Sequence, residues 1–502
     1  MNDTSNSSRR DILKTIGGVL GGVSLLGHGN ARGQALGSLP SGYKFYRVLT
    51  ANEGGSFGGL TNFLGDITGS VMMASPISGQ GLGYVYVHGT QTRQGSAPSP
   101  GVFEVAINFS VTPPVVQKVT EIAITGYRLQ FDGRLIVPGH VGTGASNAFG
   151  QYVTTIEAIE TSSTIAVANS PGVYLYRPAG LGGGSWSRII GFGDPVPDGS
   201  SLYGGDFGDV ALDDDENLLL AAATTQSPGD KLSGFAGSQA LILTSLGAPA
   251  RGRVLLQTGD TLPFGSAAVE SVGLIDLAPR NAFAAQITAR RLDKFAARSG
   301  TALLVGNTQA ALAQQGIVAA SPELMSSDLA LQRNITSGET FFGPRVDSLQ
   351  DVAFVTHDGT FEKSIGSNAI ETLGYYSRGS ARLSQNTEIS ASSDQVISFG
   401  APCIGSTGLM YGTEMLGSGK TQLFISNGVN STIVLRSGED RIPGRAPNGE
   451  LMISEILFGQ HSTQVDAFGR LAFTAEFLLD PDPRRVEDPT NVRTALVIGI
   501  PR

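Results

Sequence analysis

Apolar residues along this chain fall in short runs, each about four to eight residues long, that are separated by glycine, proline, aspartate or asparagine. Runs of this kind, bounded by turn-forming residues, are typical of buried β-strands. No stretch has a helical pattern long enough to suggest a second domain. The pattern therefore predicts an all-β protein.

One turn sequence recurs along the chain, and its clearest copy is DAFGRLAF at residues 466–473. Aspartate at the first turn position with glycine at the fourth is typical of a type I turn, and the apolar residues that follow predict a buried strand. Looser copies place the turn at positions 69, 133, 217, 281, 350, 408 and 469, which are 64, 84, 64, 69, 58 and 61 residues apart. This near-constant step predicts seven copies of one unit.

A second feature has the same period: a strand that ends in Gly-Asp or Gly-Glu, followed by proline. It occurs at residues 189–197, 255–263 and 434–443. Each unit then holds about four strands, and a four-stranded sheet cannot bury both of its faces alone. Packing the copies face to face around an axis solves this problem. The sequence thus predicts a seven-bladed β-propeller over residues 36–502.

The two ends of the chain predict how the ring closes. The last copy stops at residues 495–500, where other copies continue into a Gly-Asp strand. Residues 44–49 supply a fitting apolar strand near the start. We therefore expect the N-terminal strand to complete the last blade and to leave no exposed sheet edge.

The alternation of a Gly-Asp-x-x-Pro strand end with an Asn/Asp-x-x-Gly-x-x-Ala-Phe turn resembles the NxxGxxAF tandem-repeat proteins of bacterial secretomes. The resemblance extends over residues 44–501, although only residues 466–473 match the turn pattern closely. It implies a repeated, exported β-propeller-like protein. It supplies no catalytic residues to carry over.

Composition narrows the possible partners. Glycine contributes 68 of 502 residues and charged residues only 15%, which suits many short strands joined by tight turns. The net charge of -9 argues against nucleic acid or an anionic membrane surface as the main partner. Cys403 is the single cysteine, so an intramolecular disulfide is excluded, and we expect a buried, inert thiol.

The N-terminus predicts an export signal. Residues 8–14, SRRDILK, match the twin-arginine pattern, and a weakly apolar run follows at residues 15–26. Candidate cleavage sites lie after Gly33 and after Ala35, so residues 1–35 are interpreted as a twin-arginine signal peptide and the protein as periplasmic or secreted. No later segment is apolar for long enough to span a membrane, so we expect no membrane span after cleavage. The twin-arginine route exports folded proteins and permits a cofactor without requiring one.

Equivalent positions in the seven copies nominate the candidate site. Residues seven positions after the turns and eight before them are predicted to lie at one rim of the ring, where propellers usually bind ligands. Among them are five residues with suitable chemistry, namely His140, His357, His461, Asp209 and Glu476. Histidine can act as a base near neutral pH, and histidine with carboxylates can hold a metal. The competing interpretation is that polar loop residues simply face water.

Two functions stay open at this point. The first is an exported recognition or scaffold propeller that binds a protein partner, a glycan or a small ligand at one rim. The second is a periplasmic hydrolase or lyase in which His140, His357 or His461 is the base and Glu476 or Asp209 assists. No cofactor and no metal site can be assigned from the residues. The acidic run at residues 213–216 is interpreted as a solvated turn, because it lacks the spacing of a calcium loop.

Overall fold

The computed structural model describes residues 39–51, 63–72, 81–92, 97–131, 134–162, 165–169, 171–197, 199, 201–225, 238–263, 267–292, 297–324, 336–337, 340–347, 352–357, 371–377, 380–384, 396–405, 408–427, 430–444, 449–457, 464–480 and 491–502. The predicted signal peptide, the residue His461 and the turn position 350 lie outside these residues. Leu36–Arg502 form one compact unit. None of the described helices is both long and apolar enough to cross a membrane.

The described strands form seven sheets, numbered here in chain order. Strand β1 (Tyr43–Thr50) precedes sheet 1 and belongs to sheet 7. Sheet 1 contains β2 (Phe63–Met72), β3 (Leu82–Thr92), β4 (Ser99–Asn108) and β5 (Val115–Ile124). Sheet 2 contains β6 (Leu129–Phe131), β7 (Arg134–Ser146), β8 (Tyr152–Ser162), β9 (Ile165–Asn169), β10 (Gly172–Pro178) and β11 (Gly184–Gly191). Sheet 3 contains β12 (Leu202–Leu212), β13 (Asn217–Thr225), β14 (Ser238–Ser245) and β15 (Arg253–Gln257).

Sheet 4 contains β16 (Ala267–Ala278), β17 (Ala282–Leu292), β18 (Ala297–Asn307), β19 (Gly316–Ala320) and β20 (Thr336–Ser337). Sheet 5 contains β21 (Thr340–Val346), β22 (Val352–His357), β23 (Glu371–Ser377) and β24 (Ser380–Ser384). Sheet 6 contains β25 (Val396–Phe399), β26 (Cys403–Ile404), β27 (Met410–Leu416), β28 (Thr421–Ser426) and β29 (Ser431–Arg436). Sheet 7 joins β30 (Arg441–Pro443), β31 (Glu450–Leu457), β32 (Leu471–Leu478) and β33 (Val492–Pro501) to β1. Single 3-10 turns occupy Gly180–Gly182, Pro249–Arg251 and Leu312–Gln314.

The sheets are arranged as in a propeller. Each sheet contacts the next one in chain order, and sheet 7 contacts sheet 1. Seven clusters of buried apolar side chains account for the described core, and each lies between two neighbouring sheets. The middle strands are buried on both faces, as in Leu218, Leu219 and Leu220 of β13, which are all 0% exposed. Continuous apolar runs therefore replace the in-and-out alternation of a half-exposed strand. The all-β class and the propeller-like arrangement are confirmed.

The N-terminal strand pairs with the C-terminal strand as the sequence predicts. β1 runs antiparallel to β33, from Tyr43 opposite Pro501 to Thr50 opposite Ala495. β33 would otherwise be an open sheet edge with a row of unpaired backbone groups. The first strand of the chain therefore completes the last sheet.

The hairpin between the innermost long strand and the next strand explains the repeated turn sequence. In sheet 7, Asp466 Oδ1 accepts hydrogen bonds from the backbone N–H groups of Phe468 and Arg470, both at 2.9 Å. Gly469 takes a φ of +72°, a left-handed conformation that costs glycine little, and its N–H bonds to Asp466 O at 3.0 Å. Aspartate and glycine are thus both required by the backbone geometry of this turn.

The same geometry recurs in other sheets. Asn147 Oδ1 accepts from the second and fourth following residues at 3.1 and 3.2 Å, and Asp213 Oδ1 does so at 2.9 and 2.8 Å. Residues with positive φ occupy the corresponding turns of sheets 1, 2, 3, 4 and 6, namely Gly81, Gly150, Glu216, Asn281 and Gly408. Asp213 is only 2% exposed, so the expected solvated turn is wrong for this carboxylate, which is used to build the turn.

Two of the seven predicted turn positions are wrong. Gly69 lies within β2, where register shifts mark a bulged strand. Position 133 lies outside the described residues, between the short β6 and β7, and the turn of the repeat in sheet 2 occurs later in the chain. The hairpins of sheets 1 and 2 instead use Gly81 and Gly150. A bulged strand uses the same glycine and aspartate residues as a turn, so the sequence pattern did not distinguish the two at residues 66–69. With the corrected positions, successive turns are separated by 69, 66 and 65 residues up to Asn281.

The Gly-Asp feature joins sheet 2 to sheet 3, sheet 3 to sheet 4 and sheet 6 to sheet 7. Gly193 N–H bonds to Tyr203 O, and Tyr203 N–H bonds to Asp194 O, both at 2.9 Å. Gly259 and Asp260 form the same reciprocal pair with Val269, and Gly438 and Asp440 form it with Ile453. In each case the carboxylate of the aspartate also accepts a backbone N–H, at 2.6 to 2.8 Å, from the strand that is ending. The outermost strand of one sheet is therefore fastened to the innermost strand of the following sheet.

Replacing Asp466 tests the role of the hairpin. Asp466→Ala removes the acceptor for two backbone N–H groups and leaves the guanidinium of Arg470, which is buried and 2.7 Å from Asp466 Oδ2, without its carboxylate. We expect the free energy of unfolding to fall by about 3–5 kcal/mol, as for other broken buried ion pairs. Asp466→Asn keeps a side-chain oxygen that accepts the backbone N–H groups, so its free energy of unfolding should fall less than that of Asp466→Ala. Equal stability of Asp466→Ala and the unmodified protein in urea unfolding would contradict this role.

Glu414 predicts how stability changes with pH. Its side chain is 0% exposed on β27, and among the described residues neither carboxylate oxygen has a hydrogen-bond partner. Burial raises the pKa of Glu414 from 4.5 to about 7. Because the pKa of Glu414 is higher in the folded than in the unfolded protein, its contribution to the free energy of unfolding is complete below the unfolded pKa of 4.5. That contribution is lost as pH rises through the folded pKa of about 7.

Glu414→Gln removes that loss, since the amide never ionises. We expect this variant to be more stable than the unmodified protein at pH 8, by on the order of 3 kcal/mol, and to differ little from it at pH 5. The control Glu450→Gln changes an exposed side chain and should leave the stability unchanged at both pH 5 and pH 8. Thermal unfolding at the two pH values measures the effect, and a pH-independent difference for Glu414→Gln would contradict the explanation.

Candidate functional site

A cavity of about 380 Å³ opens where the inner strands of sheets 2, 3 and 4 meet. Its wall is formed by β7, β8, β12, one residue of β16 and Pro171. The lining residues are His140, Gly142, Thr143, Thr155, Ile156, Glu157, Pro171, Gly205, Phe207, Gly208, Asp209 and Leu274. One concave surface therefore combines polar groups with two apolar side chains, the half-buried Phe207 and the exposed Leu274.

Bulges in the inner strands create this concave surface. β7 shifts register against β8 on both sides of His140, and β12 shifts against β13 between Tyr203 and Val210. A bulge bends its strand and redirects the side chains beside it. At Gly142 a Cβ atom would collide with the Thr155 side chain, so glycine lets β7 approach β8 closely at the wall of the cavity.

Two of the five candidate residues, His140 and Asp209, are brought together in this cavity. His140 is exposed and lies opposite Glu157 in the register of β7 and β8. His140 lies on the innermost long strand, whereas the turn position assumed from the sequence placed it on the second strand. His140 therefore lines the cavity although the alignment that nominated it was incorrect.

Asp209 also links two sheets. Its Oδ1 accepts the N–H of Val210 and its Oδ2 accepts the N–H of Ile275 in sheet 4, both at 3.0 Å. Burial raises the pKa of Asp209, and the hydrogen bond from Ile275 and the charge of Arg345 offset part of the rise. This carboxylate is thus held in a fixed position at the wall of the cavity.

The other three candidates are not part of the cavity as described. Glu476 is half-buried on β32 in sheet 7, opposite Glu455. Burial raises its pKa, and the charges of Glu455 and Asp66 add to the rise. His357 ends β22, where only its backbone is described, opposite Thr340 and Glu371. His461 lies outside the described residues.

His88 and Glu157 were missed because the turns of sheets 1 and 2 were misplaced. Each lies seven positions after the observed turn glycine, Gly81 or Gly150, and so occupies the position that the repeat nominated. His88 Nε2 lies 3.3 Å from the hydroxyl of Tyr152, and burial together with the charge of His140 lowers the pKa of His88 to about 4. The sequence NAFG at residues 147–150 repeats the DAFG of residues 466–469 and was the signal that could have found them.

Beside the cavity, the inner strands of sheets 4 to 6 carry a buried polar layer. Asp276, Arg345 and Cys403 are each less than 10% exposed. Asp276 Oδ2 accepts the N–H of Val346 at 2.8 Å, and burial raises the pKa of Asp276 to about 6. Burial also raises the pKa of the Cys403 thiol to about 11, so the expected buried thiol is present. Across the described residues, no three His, Cys, Asp or Glu side chains are placed to hold a metal ion.

Comparison with known proteins gives no family for this chain. No protein-family model matches it, and no curated protein matches it. Solved structures resemble it weakly. The polysaccharide lyase Uly1 is 10% identical, with a TM-score of 0.39 over 91% of this chain and 97% of that one. The α-L-arabinanase of Penicillium chrysogenum, solved with arabinobiose, is 14% identical, with a TM-score of 0.32 over 74% and 96%.

A Dyadobacter fermentans protein of unknown function is 9% identical, with a TM-score of 0.33 over 92% of this chain and 99% of that one. At these identities and TM-scores the likenesses carry no argument about the ligand or the residues of this chain. The functional inference therefore depends on the cavity itself.

Proposed function

We propose that this protein is an exported, seven-bladed propeller that recognises a carbohydrate through the cavity between sheets 2 and 3. The observation that carries the proposal is the meeting of His140, Glu157 and Asp209 with Phe207 and Leu274 around one space of about 380 Å³. That volume lies within the range of small-ligand sites, which combine apolar walls with a few fixed polar groups. The seven sheets, each with an apolar cluster against its neighbour, support the number of blades.

The lining suits a ligand rich in hydroxyl groups. Carboxylate oxygens accept hydrogen bonds, and threonine hydroxyls and an imidazole both donate and accept them. Phe207 offers an apolar ring surface, held by stacking on Tyr203 with 6.0 Å between ring centroids. A sugar presents hydroxyls at its edge and C–H groups on its face, so it can use both kinds of surface at once.

A hydrolase or lyase acting at the same cavity is the second candidate. The observation in its favour is that His140 and two carboxylates, Glu157 and Asp209, line one space, as acid–base chemistry requires. Binding without turnover is favoured because both oxygens of Asp209 already accept backbone N–H groups. Within the described part of the chain, no carboxylate is hydrogen-bonded to the ring of His140 to orient it as a base.

Filling the cavity tests the proposal. A Cβ atom at Gly205 would lie 3.9 Å from its nearest neighbours, Phe192 and Pro171, so Gly205→Phe can project into the cavity without backbone strain. We expect this variant to keep its melting temperature and to lose binding by at least about tenfold in calorimetric titration with glycan oligomers. Gly247→Phe, at an exposed turn with free space, is the matched control.

Two outcomes separate carbohydrate recognition from enzymatic turnover. Unchanged glycan affinity in Gly205→Phe would contradict the assignment of this cavity. Turnover of a glycan that is lost in His140→Ala, with affinity retained, would favour the enzyme instead.

We further propose export by the twin-arginine route, supported by the SRRDILK sequence of residues 8–14. Changing Arg9 and Arg10 together to lysine should leave the precursor in the cytoplasm, because this route reads the arginine pair and not charge alone. Arg32→Lys, in the same segment, is the control and should be exported normally. Cell fractionation with immunoblotting measures the distribution, and normal export of the double variant would refute the route.

A further inference from the structure

The carboxylates that line the cavity favour a positively charged ligand. We propose that the cavity binds oligosaccharides with free, protonated amino groups in preference to neutral or acidic oligosaccharides. This inference rests on the proposed carbohydrate function of the same cavity. It assigns the chemical class of the sugar, which the proposed function leaves open.

The described lining contains two carboxylates and no lysine or arginine. Glu157 is exposed at the wall, and Asp209 is fixed by its two backbone hydrogen bonds. Arg290 of sheet 4 lies opposite Ala268 of β16 and does not line the cavity. An acidic sugar would therefore meet like charges in the lining itself, while an ammonium group would meet two opposite charges.

The buried charges behind Asp209 do not cancel this field. Arg345 attracts both Asp209 and Asp276, so these three groups together carry one net negative charge when all are ionised. Arg345 itself is 8% exposed and donates Nη1 to Pro344 O at 2.8 Å. Together with Glu157, the cavity and the layer behind it therefore carry two negative charges in excess.

Two carboxylates in one concave lining raise the local concentration of a cationic ligand and favour its approach.

The test is calorimetric titration of the exported protein with three oligomers of equal length: glucosamine, N-acetylglucosamine and galacturonic acid. We expect the glucosamine oligomer to bind at least about tenfold more tightly than the acetylated one and to weaken as salt is raised, and the acidic oligomer not to bind. Glu157→Gln should reduce the affinity for the glucosamine oligomer several-fold more than the affinity for the acetylated oligomer, because only the first loses a charge pair. Glu450→Gln, an exposed change in sheet 7, is the matched control.

The outcomes distinguish this inference from the proposed function. Equal binding of glucosamine and acetylated oligomers that is blocked by Gly205→Phe would overturn the charge preference and keep the carbohydrate site. Tighter binding of the acidic oligomer would also overturn it. Failure of all three oligomers, and of neutral glycans, to bind would remove the proposed function and this inference together.

Discussion

The reciprocal pair of backbone hydrogen bonds at each Gly-Asp strand end is the constraint on which the fold depends. At Gly193, Gly259 and Gly438 the chain leaves one sheet, and within two residues it is bonded to the innermost strand of the next. These glycines have φ values of +79°, +94° and +70°, in the left-handed region that glycine enters at little cost. At these three junctions the chain passes directly from one sheet to the next, and the two sheets are held face to face.

Face-to-face packing in turn decides where apolar residues lie. Each sheet buries both faces, which explains why β13 is continuously apolar from Leu218 to Ala223 and β14 from Ala240 to Leu243, and why the described core divides into seven interfaces. No disulfide contributes, since Cys403 is the only cysteine. Stability is distributed over many similar interfaces, as in other repeat proteins, and the polar residues that remain on inner strands are exceptions that call for a specific explanation.

The sequence was sufficient for the fold class, for the period and for the pairing of the two terminal strands, because these depend on composition and on apolar runs. It was insufficient for the turns of sheets 1 and 2. Glycine and aspartate at residues 66–69 satisfy a bulge as well as a turn, and only the pairing of β2 with β3 distinguishes the two. His88 was missed through that ambiguity, and Glu157 was missed because the turn of sheet 2 was placed at position 133 and not at Gly150. The meeting of His140 with Asp209 could not be predicted either, since it depends on bulges that shift β7 and β12 in register.

The pairing of β1 with β33 has a consequence for how the protein is made. The ribosome synthesises residues 43–50 more than 400 residues before residues 492–501, so sheet 7 cannot be completed until β33 has been made. Joining strands separated by more than 400 residues also requires closing a very long loop, which makes this step slow compared with local hairpins. Ring closure therefore follows the synthesis of β33, and a chain cut short before β33 lacks the partner that β1 needs.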